Sequence, residues 1–295
     1  MASRLSQTLD TPIMIEHVTD AEHLLYHYTK SSVALEHILK NRTLKLGSYT
    51  TINDPKETKS WQFGLGTNEN RELCAYKMSE ESAWLSGKLK GRIRLVCFSR
   101  DSGPLSGIHI NDIFRRGYCK PRMWVQYAEK HAGVCLVFDK TRLSAVIEKQ
   151  VASSHRVLAG PVEYVDRGIV QDLNEDQQYM INIDVLEDVG RDAYPDLHFK
   201  THFKRLFFEK MTDWRDECEW RWIVVSNSDQ DIYVAFGNSL VGIMFGEDTQ
   251  EEIIHGVMEA TRSWGLRYMG LKWKNCSPWY DYGNLRYTHG IKNFP

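Results

Sequence analysis

The chain lacks most of the signatures that assign a protein to a class on sight. Its six cysteines (Cys74, Cys97, Cys119, Cys135, Cys218, Cys276) are scattered with no C-x-x-C pair, which argues against a disulfide framework or a cysteine-based zinc site and fits reduced thiols in a cytosolic protein. The opening Met-Ala-Ser-Arg-Leu-Ser-Gln has no apolar signal core, and no uncharged apolar run reaches the length of a membrane span. The expectation is a soluble, cytoplasmic protein without a membrane partner. Internal repeats, low-complexity tracts and Pro-rich linkers are absent. No G-x-G-x-x-G follows a strand, and no Walker loop, nucleophile elbow or papain-like cysteine motif occurs, so a doubly wound dinucleotide fold and the common hydrolase plans are disfavoured. An excess of one charge is also missing. Lys and Arg number 37 against 39 Asp and Glu, a formal net charge of -2, which taken alone argues against a strongly basic nucleic-acid binder.

What is present is an ordinary globular composition, 42% hydrophobic and 26% charged over 295 residues, enough for one large domain with a sizeable core. The neutral average hides two opposed segments. From Lys88 to Arg122 nine Lys or Arg face two Asp or Glu, whereas Glu163 to Asp196 carries ten Asp or Glu and two Arg. The basic stretch could attract the phosphates of a nucleotide or nucleic acid, or could simply pair with the acidic one.

Pattern and turn chemistry predict strands at 24–29, 43–47, 93–99, 134–138, 157–165, 219–225, 232–236, 241–245 and 268–273, with helices at 31–41, 69–87, 122–131, 143–151, 195–213 and 251–264. Gly133 sits where a helix end would use it, and Asp54 with Pro55 reads as a helix cap with Glu57 in the first turn. Several strands follow one another without a helix between them. The fold class is therefore mixed α+β, with mainly antiparallel sheets and flanking helices. The expected organisation is an N-terminal extension (1–23), a single domain (24–275) with an acidic insertion or lid around 166–192, and a C-terminal tail (276–295).

Glu217-Cys218-Glu219-Trp220-Arg221 is the richest stretch. In a strand, Glu217, Glu219 and Arg221 would share one face and Trp220 and Trp222 the other. Two close carboxylates beside an arginine suit acid/base or cation-stabilising chemistry, and they equally suit a structural ion pair. His27, set between Tyr26 and Tyr28, could orient a ribose or phosphate with a tyrosine stacking on a base, or be a core histidine bonded to a carbonyl. On the helix carrying Trp124 and His131, Tyr127 is a candidate ligand contact on a face that otherwise reads as core. Asn53, Asp54 and Glu57 are candidate rim residues. His198 and His202 have i, i+4 spacing but no third ligand, so no metal is expected.

The motifs L-Y-H-Y-T (Leu25 to Thr29), N-D-P-x-E (Asn53 to Glu57), C-F-S (Cys97 to Ser99), M-W-x-x-Y-A-x-x-H-x-G-V-x-L-x-F (Met123 to Phe138) and E-x-E-W-R (Glu217 to Arg221) resemble, in this order, those of a large bacterial and phage family known as a domain of unknown function. More distantly, the opening strand-helix-strand is similar to that of ADP-ribosyltransferase-like enzymes. That resemblance implies an ADP-ribosyltransferase-like fold with a His, a Ser and a Glu on successive strands, here His27, Ser99 and Glu219, and Glu217 completing an E-x-E pair. It implies NAD as substrate, cleavage of its nicotinamide-ribosyl bond and modification of a macromolecular acceptor, nucleic acid or protein, in a phage-defence or toxin setting. His27, Glu219 and Glu217 would be catalytic. His27, Tyr28, Thr29, Ser99, Arg94, Arg221 and Tyr127 would hold the cofactor, with Arg221 or Arg94 as charge or phosphate partner. Two readings stand beside it: a non-catalytic nucleic-acid-binding module using the basic 88–122 surface, and an acid/base carboxylate pair acting without NAD, for which the two glutamates sit rather close.

Overall fold

The computed structural model describes residues 23–167 and 177–281. Almost all of the N-terminal extension, residues 168–176 of the acidic insertion and residues 282–295 of the tail lie outside the described residues. The strands are β1 (Leu24–Thr29), β2 (Thr43–Ser48), β3 (Gly64–Gly66), β4 (Ile93–Arg100), β5 (Val134–Asp139), β6 (Arg156–Pro161), β7 (Glu163–Tyr164), β8 (Met180–Asn182), β9 (Glu209–Lys210), β10 (Glu219–Val225), β11 (Ile232–Ala235), β12 (Leu240–Phe245), β13 (Arg267–Lys274) and β14 (Ser277–Asp281). The helices are α1 (Ser31–Val33, continued as a π-helix over Ala34–Leu39), α2 (Pro55–Thr58), α3 (Met78–Gly91), α4 (His109–Asp112), α5 (Pro121–Tyr127), α6 (Lys140–Val151), α7 (Ile183–Phe207) and α8 (Glu251–Ala260).

The architecture is mixed α+β. Among the described residues, ten strands join in one sheet, β11-β2-β4-β1-β5-β12-β13-β14, with β10 and then β6 branching from β4. Its pairings are antiparallel except β12 with β13. The branch point is the feature that makes room for a site. Along one edge β4 pairs with β10 from Ile93 to Ser99. Along its other edge it pairs with β2 at Arg94 and Leu95, then with β1 at Ser99 and Arg100. Val96, Cys97 and Phe98 have no strand partner on that edge, and the sheet divides there.

Alternation along each strand feeds separate cores. Leu25, Val96, Phe98, Phe138 and Trp222 pack with Ile38 and Leu39 of α1, Leu143 and Ile147 of α6, and Ile254 and Val257 of α8. Tyr26, Tyr28 and Val137 point the other way, to Trp124 and Ala128 on or beside α5. A third cluster joins Leu95 and Ile223 to Leu85 and Leu89 of α3 and to Phe199, Leu206 and Phe207 of α7. Burying each large apolar side chain stabilises by about 1.5–3 kcal/mol; Trp222, on the central branch strand, is fully buried.

Helix boundaries depart from the sequence pattern for local reasons. The helix expected from residue 69 begins at Met78, because the Asp184 carboxylate draws the backbone N–H groups of Asn68 and Glu69 and the hydroxyl of Thr67 into a loop. The helix expected from Pro195 starts at Ile183, capped by Asn182 and bent at Gly190, where φ is +79°. It stops at Phe207, and beyond the cap residue Phe208 the pair Glu209 and Lys210 forms β9 against β7 instead of continuing to Asp213. α5 ends at Tyr127 because Glu129, Lys130 and His131 all take positive φ. Gly133 follows for want of space: a Cβ there would lie 2.5 Å from the Thr29 carbonyl oxygen. β14 occupies the start of the segment read as a tail.

Gly133→Ala should destabilise by about 1–3 kcal/mol in urea unfolding through overpacking against backbone. Gly87→Ala, inside α3 with nothing within 4 Å of the added carbon, should be neutral or stabilise by up to about 1 kcal/mol. The reverse order would contradict the packing described.

Candidate functional site

A cleft of about 310 Å³ opens where the sheet divides, lined among others by His27, Ser99, Tyr127, Lys210, Glu217 and Glu219. This is the low end of the size range of ligand pockets. Backbone pairing brings the strands' contributions together. Ser99 of β4 is opposite Tyr26 of β1 on one edge and opposite Glu219 of β10 on the other. Two residues along, Cys97 is opposite Arg221, and its carbonyl is 3.0 Å from His27 Nδ1. The histidine fills the place of the missing strand partner.

That carbonyl can only accept, so His27 Nδ1 carries the proton and Nε2 is left as an acceptor in the neutral ring. Burial lowers the ring's pKa, with the bond to Cys97 opposing, so His27 is neutral at neutral pH. Both readings of His27 therefore meet in one residue: it bonds a backbone carbonyl and it lines the cleft.

Below the cleft lies an ion cluster. Arg221, fully buried, grips Glu219 through two hydrogen bonds, Nε to Oε1 at 2.6 Å and Nη2 to Oε2 at 2.8 Å. Its Nη1 donates to Glu57 Oε1 at 2.6 Å and to the Phe207 carbonyl at 2.7 Å. Lys210 Nζ lies 2.7 Å from Glu219 Oε2, 2.9 Å from Glu217 Oε2 and 3.8 Å from Glu57 Oε2. Tyr127 donates its hydroxyl to Glu217 Oε1 at 3.0 Å.

The electrostatics divide the carboxylates. Burial would raise the Glu219 pKa, but Arg221 and Lys210 outweigh it and hold the carboxyl well below the ordinary range. Glu57, with one oxygen on Arg221 and the other without a hydrogen bond, is raised by burial. Cys97 contributes to the lining, and burial and the Glu219 charge push its thiol's pKa far up, which disfavours the thiolate a nucleophile needs.

Of the residues singled out from sequence, His27, Tyr28, Ser99, Tyr127, Glu217 and Glu219 line the cleft. Tyr28 spends its hydroxyl on the Gly117 carbonyl. Ser99 Oγ is buried with no hydrogen-bond partner. Three differ from expectation. Thr29 is buried away from the cleft lining, Arg94 directs its guanidinium to the carbonyls of Gly91, Ile93, Ser228 and Gln230, and Arg221 lies behind Glu219. Neither arginine presents a free charge for a phosphate. Glu217 also leaves the strand: Cys218 takes a left-handed conformation (φ +46°), and β10 starts at Glu219. The two glutamates still meet, through Lys210 rather than through a shared strand face. Asp54 caps α2 as expected, accepting from Lys56 N–H at 2.8 Å. Asn53, Asp54 and Glu57, expected at a rim, all contribute to the lining, Glu57 from a position only 1% exposed. Lys210 escaped notice because its segment reads as helix.

Elsewhere, His198 Nε2 bonds the Gln178 carbonyl, and among the described residues no group of three or more His, Cys, Asp or Glu could hold a metal ion. No helix among the described residues is long and apolar enough to cross a membrane. Within the basic 88–122 segment, Lys90, Arg94 and Arg116 are buried, so its inward-facing charges are unavailable to a nucleic acid.

Lys210→Met should cost about 3–5 kcal/mol at pH 7, because three carboxylates lose a shared buried cation. Glu219 has a folded pKa below its unfolded value, so its contribution is present above an unfolded pKa of about 4.3 and fades as pH falls below it. The wild-type advantage over the variant, read by urea unfolding, should shrink between pH 7 and pH 3.5; a constant difference would refute the assignment.

Comparison with curated proteins and with solved structures gives no match. Residues 123–222, which run from α5 into β10, match the model of a family described as a protein of unknown function (DUF2971).

Proposed function

We propose that the cleft binds the nicotinamide-ribosyl end of NAD and that the protein cleaves the bond between nicotinamide and ribose, passing ADP-ribose to water or to a macromolecular acceptor. One observation carries the reading. His27 on β1, Ser99 on β4 and Glu219 on β10, the ordered residues implied by the resemblance to ADP-ribosyltransferase-like enzymes, sit on adjacent strands and line one cleft at the division of the sheet.

The chemistry is consistent with that placement. Glu219 is held ionised, so it serves poorly as a proton donor and well as a fixed negative charge. Such a carboxylate, bonded to a ribose hydroxyl, stabilises the positive charge that grows on the sugar as nicotinamide leaves. Glu217, pinned by Lys210 and Tyr127, positions the floor beside it. Neutral His27 orients the sugar or the ring through Nε2. The lining carries four carboxylates, Asp54, Glu57, Glu217 and Glu219, against Lys45 and Lys210. That balance favours the cationic nicotinamide ring over the diphosphate. Ser99 Oγ and Asp54 Oδ2, buried and without hydrogen-bond partners, call for a ligand rich in O–H or N–H groups, as the sugar and carboxamide of that end are. The volume suits this half of the dinucleotide, and the adenosine half extends beyond it.

With purified protein and NAD, nicotinamide release should be measurable by chromatography. Glu219→Gln should slow it about 10²–10³-fold, the range for loss of one charge-stabilising group, while His27→Ala should mainly raise KM. A Glu219→Gln variant that remains folded and turns over at the wild-type rate would remove Glu219 from the mechanism.

A further inference from the structure

The pairing of carboxylates implied by the E-x-E pattern leaves the acceptor's proton to Glu217, but both oxygens of Glu217 are engaged, Oε1 by the Tyr127 hydroxyl and Oε2 by Lys210. Glu219 has each oxygen on Arg221. Glu57 differs. Its Oε1 accepts from Arg221, whereas Oε2, on a residue that contributes to the cleft lining, is buried without a hydrogen bond, the Lys210 ammonium standing 3.8 Å off. Three residues earlier on the same turn, Asp54 Oδ2 is likewise buried in the lining and unpartnered. A buried carboxylate oxygen with no donor, on a residue at the wall of a cleft, is costly unless a ligand supplies one.

We propose that Glu57 is the general base of the reaction, with Asp54 holding the incoming nucleophile beside it; the inference rests on the NAD reading above. The nucleophile is water or an acceptor hydroxyl or amine. Its heteroatom forms a bond to the anomeric carbon of the ribose, the carbon-nitrogen bond to nicotinamide breaks, and nicotinamide leaves neutral with the electron pair. The proton of the nucleophile passes to Glu57 Oε2 and then to solvent. Glu219 keeps its charge throughout.

The surroundings support a base of this kind. Arg221 and Glu219 face Glu57 from β10, Lys210 from β9, Lys90 from α3, and Tyr49 from the turn after β2, with Asp54 and Lys56 on its own turn. Glu57 and Glu219 share the Arg221 guanidinium, yet only Glu219 takes two hydrogen bonds from it, which together with Lys210 hold its carboxyl below the ordinary range. Burial raises the Glu57 pKa instead, and two carboxylates driven apart in pKa are how one site assigns separate roles to like groups.

The test uses the full-length protein and azide, a nucleophile with no proton to lose. Glu57→Gln should lower nicotinamide release with water as acceptor about 10²–10⁴-fold, and azide should restore the rate to within tenfold of wild type, with azido-ADP-ribose as product. Glu219→Gln should gain nothing from azide. A folded Glu57→Gln variant that keeps the wild-type rate, or that azide does not rescue, overturns the assignment while leaving NAD cleavage intact. A wild-type protein inert towards NAD overturns the functional reading and this assignment with it. Should Glu57→Gln fail to fold, the wild-type pH profile decides: an acid limb in kcat/KM with a midpoint above the ordinary glutamate value of about 4.3 supports the base, and a rate flat to pH 4 overturns it.

Discussion

The buried guanidinium of Arg221 is the interaction on which the site depends. A fully buried arginine is costly unless its donors are paired, and here Glu219, Glu57 and the end of α7 pair them. The fork does more than neutralise charge. It ties β10 to α2 and to the end of α7, and with Lys210 it reaches Glu217 and, through that residue, Tyr127 at the end of α5. The floor of the cleft is therefore fixed by charge pairing, while the hydrophobic clusters fix the strands that carry it. An apolar replacement of the cluster would be compatible with a stable core; retaining it holds carboxylates beneath an open cleft.

The second constraint is the divided edge of β4. A strand that pairs with two different neighbours in succession leaves a gap of Val96, Cys97 and Phe98, and His27 caps one of the exposed carbonyls. Unpaired backbone in a sheet interior needs a partner or water, which is why such a gap becomes a cleft instead of core. The same division gives Ser99 a neighbour on each edge and so brings a serine, a histidine and a glutamate from distant parts of the sequence to one place.

Much of this was legible beforehand. Period-2 runs located β1, β4, β5, β10 and β12, and Asn53-Asp54-Pro55 announced the cap of α2, because these signals are local. His27, Ser99 and Glu219 stood out as candidates, but nothing in the pattern could say that β4 would join β1 to β10 and bring them to one cleft. The gaps have physical causes as well. The apolar rhythm of α7 runs past its end into a segment that pairs with β7, so Lys210 was hidden in an expected helix. Glu57 looked like an exposed first-turn acid because its partner Arg221 is 164 residues away. Arg94 and Arg221 looked available for phosphate because sequence counts charges without showing which carbonyls and carboxylates absorb them. The basic 88–122 segment shrinks for the same reason.

The central claim is that this cleft receives the nicotinamide-ribosyl end of NAD, and saturation-transfer NMR addresses it directly by reporting which ligand protons touch the protein. With Glu219→Gln protein used to slow turnover, the account predicts strong transfer to the nicotinamide and adjoining ribose protons and weaker transfer to the adenine. Transfer confined to the adenine, or none at all, would contradict it.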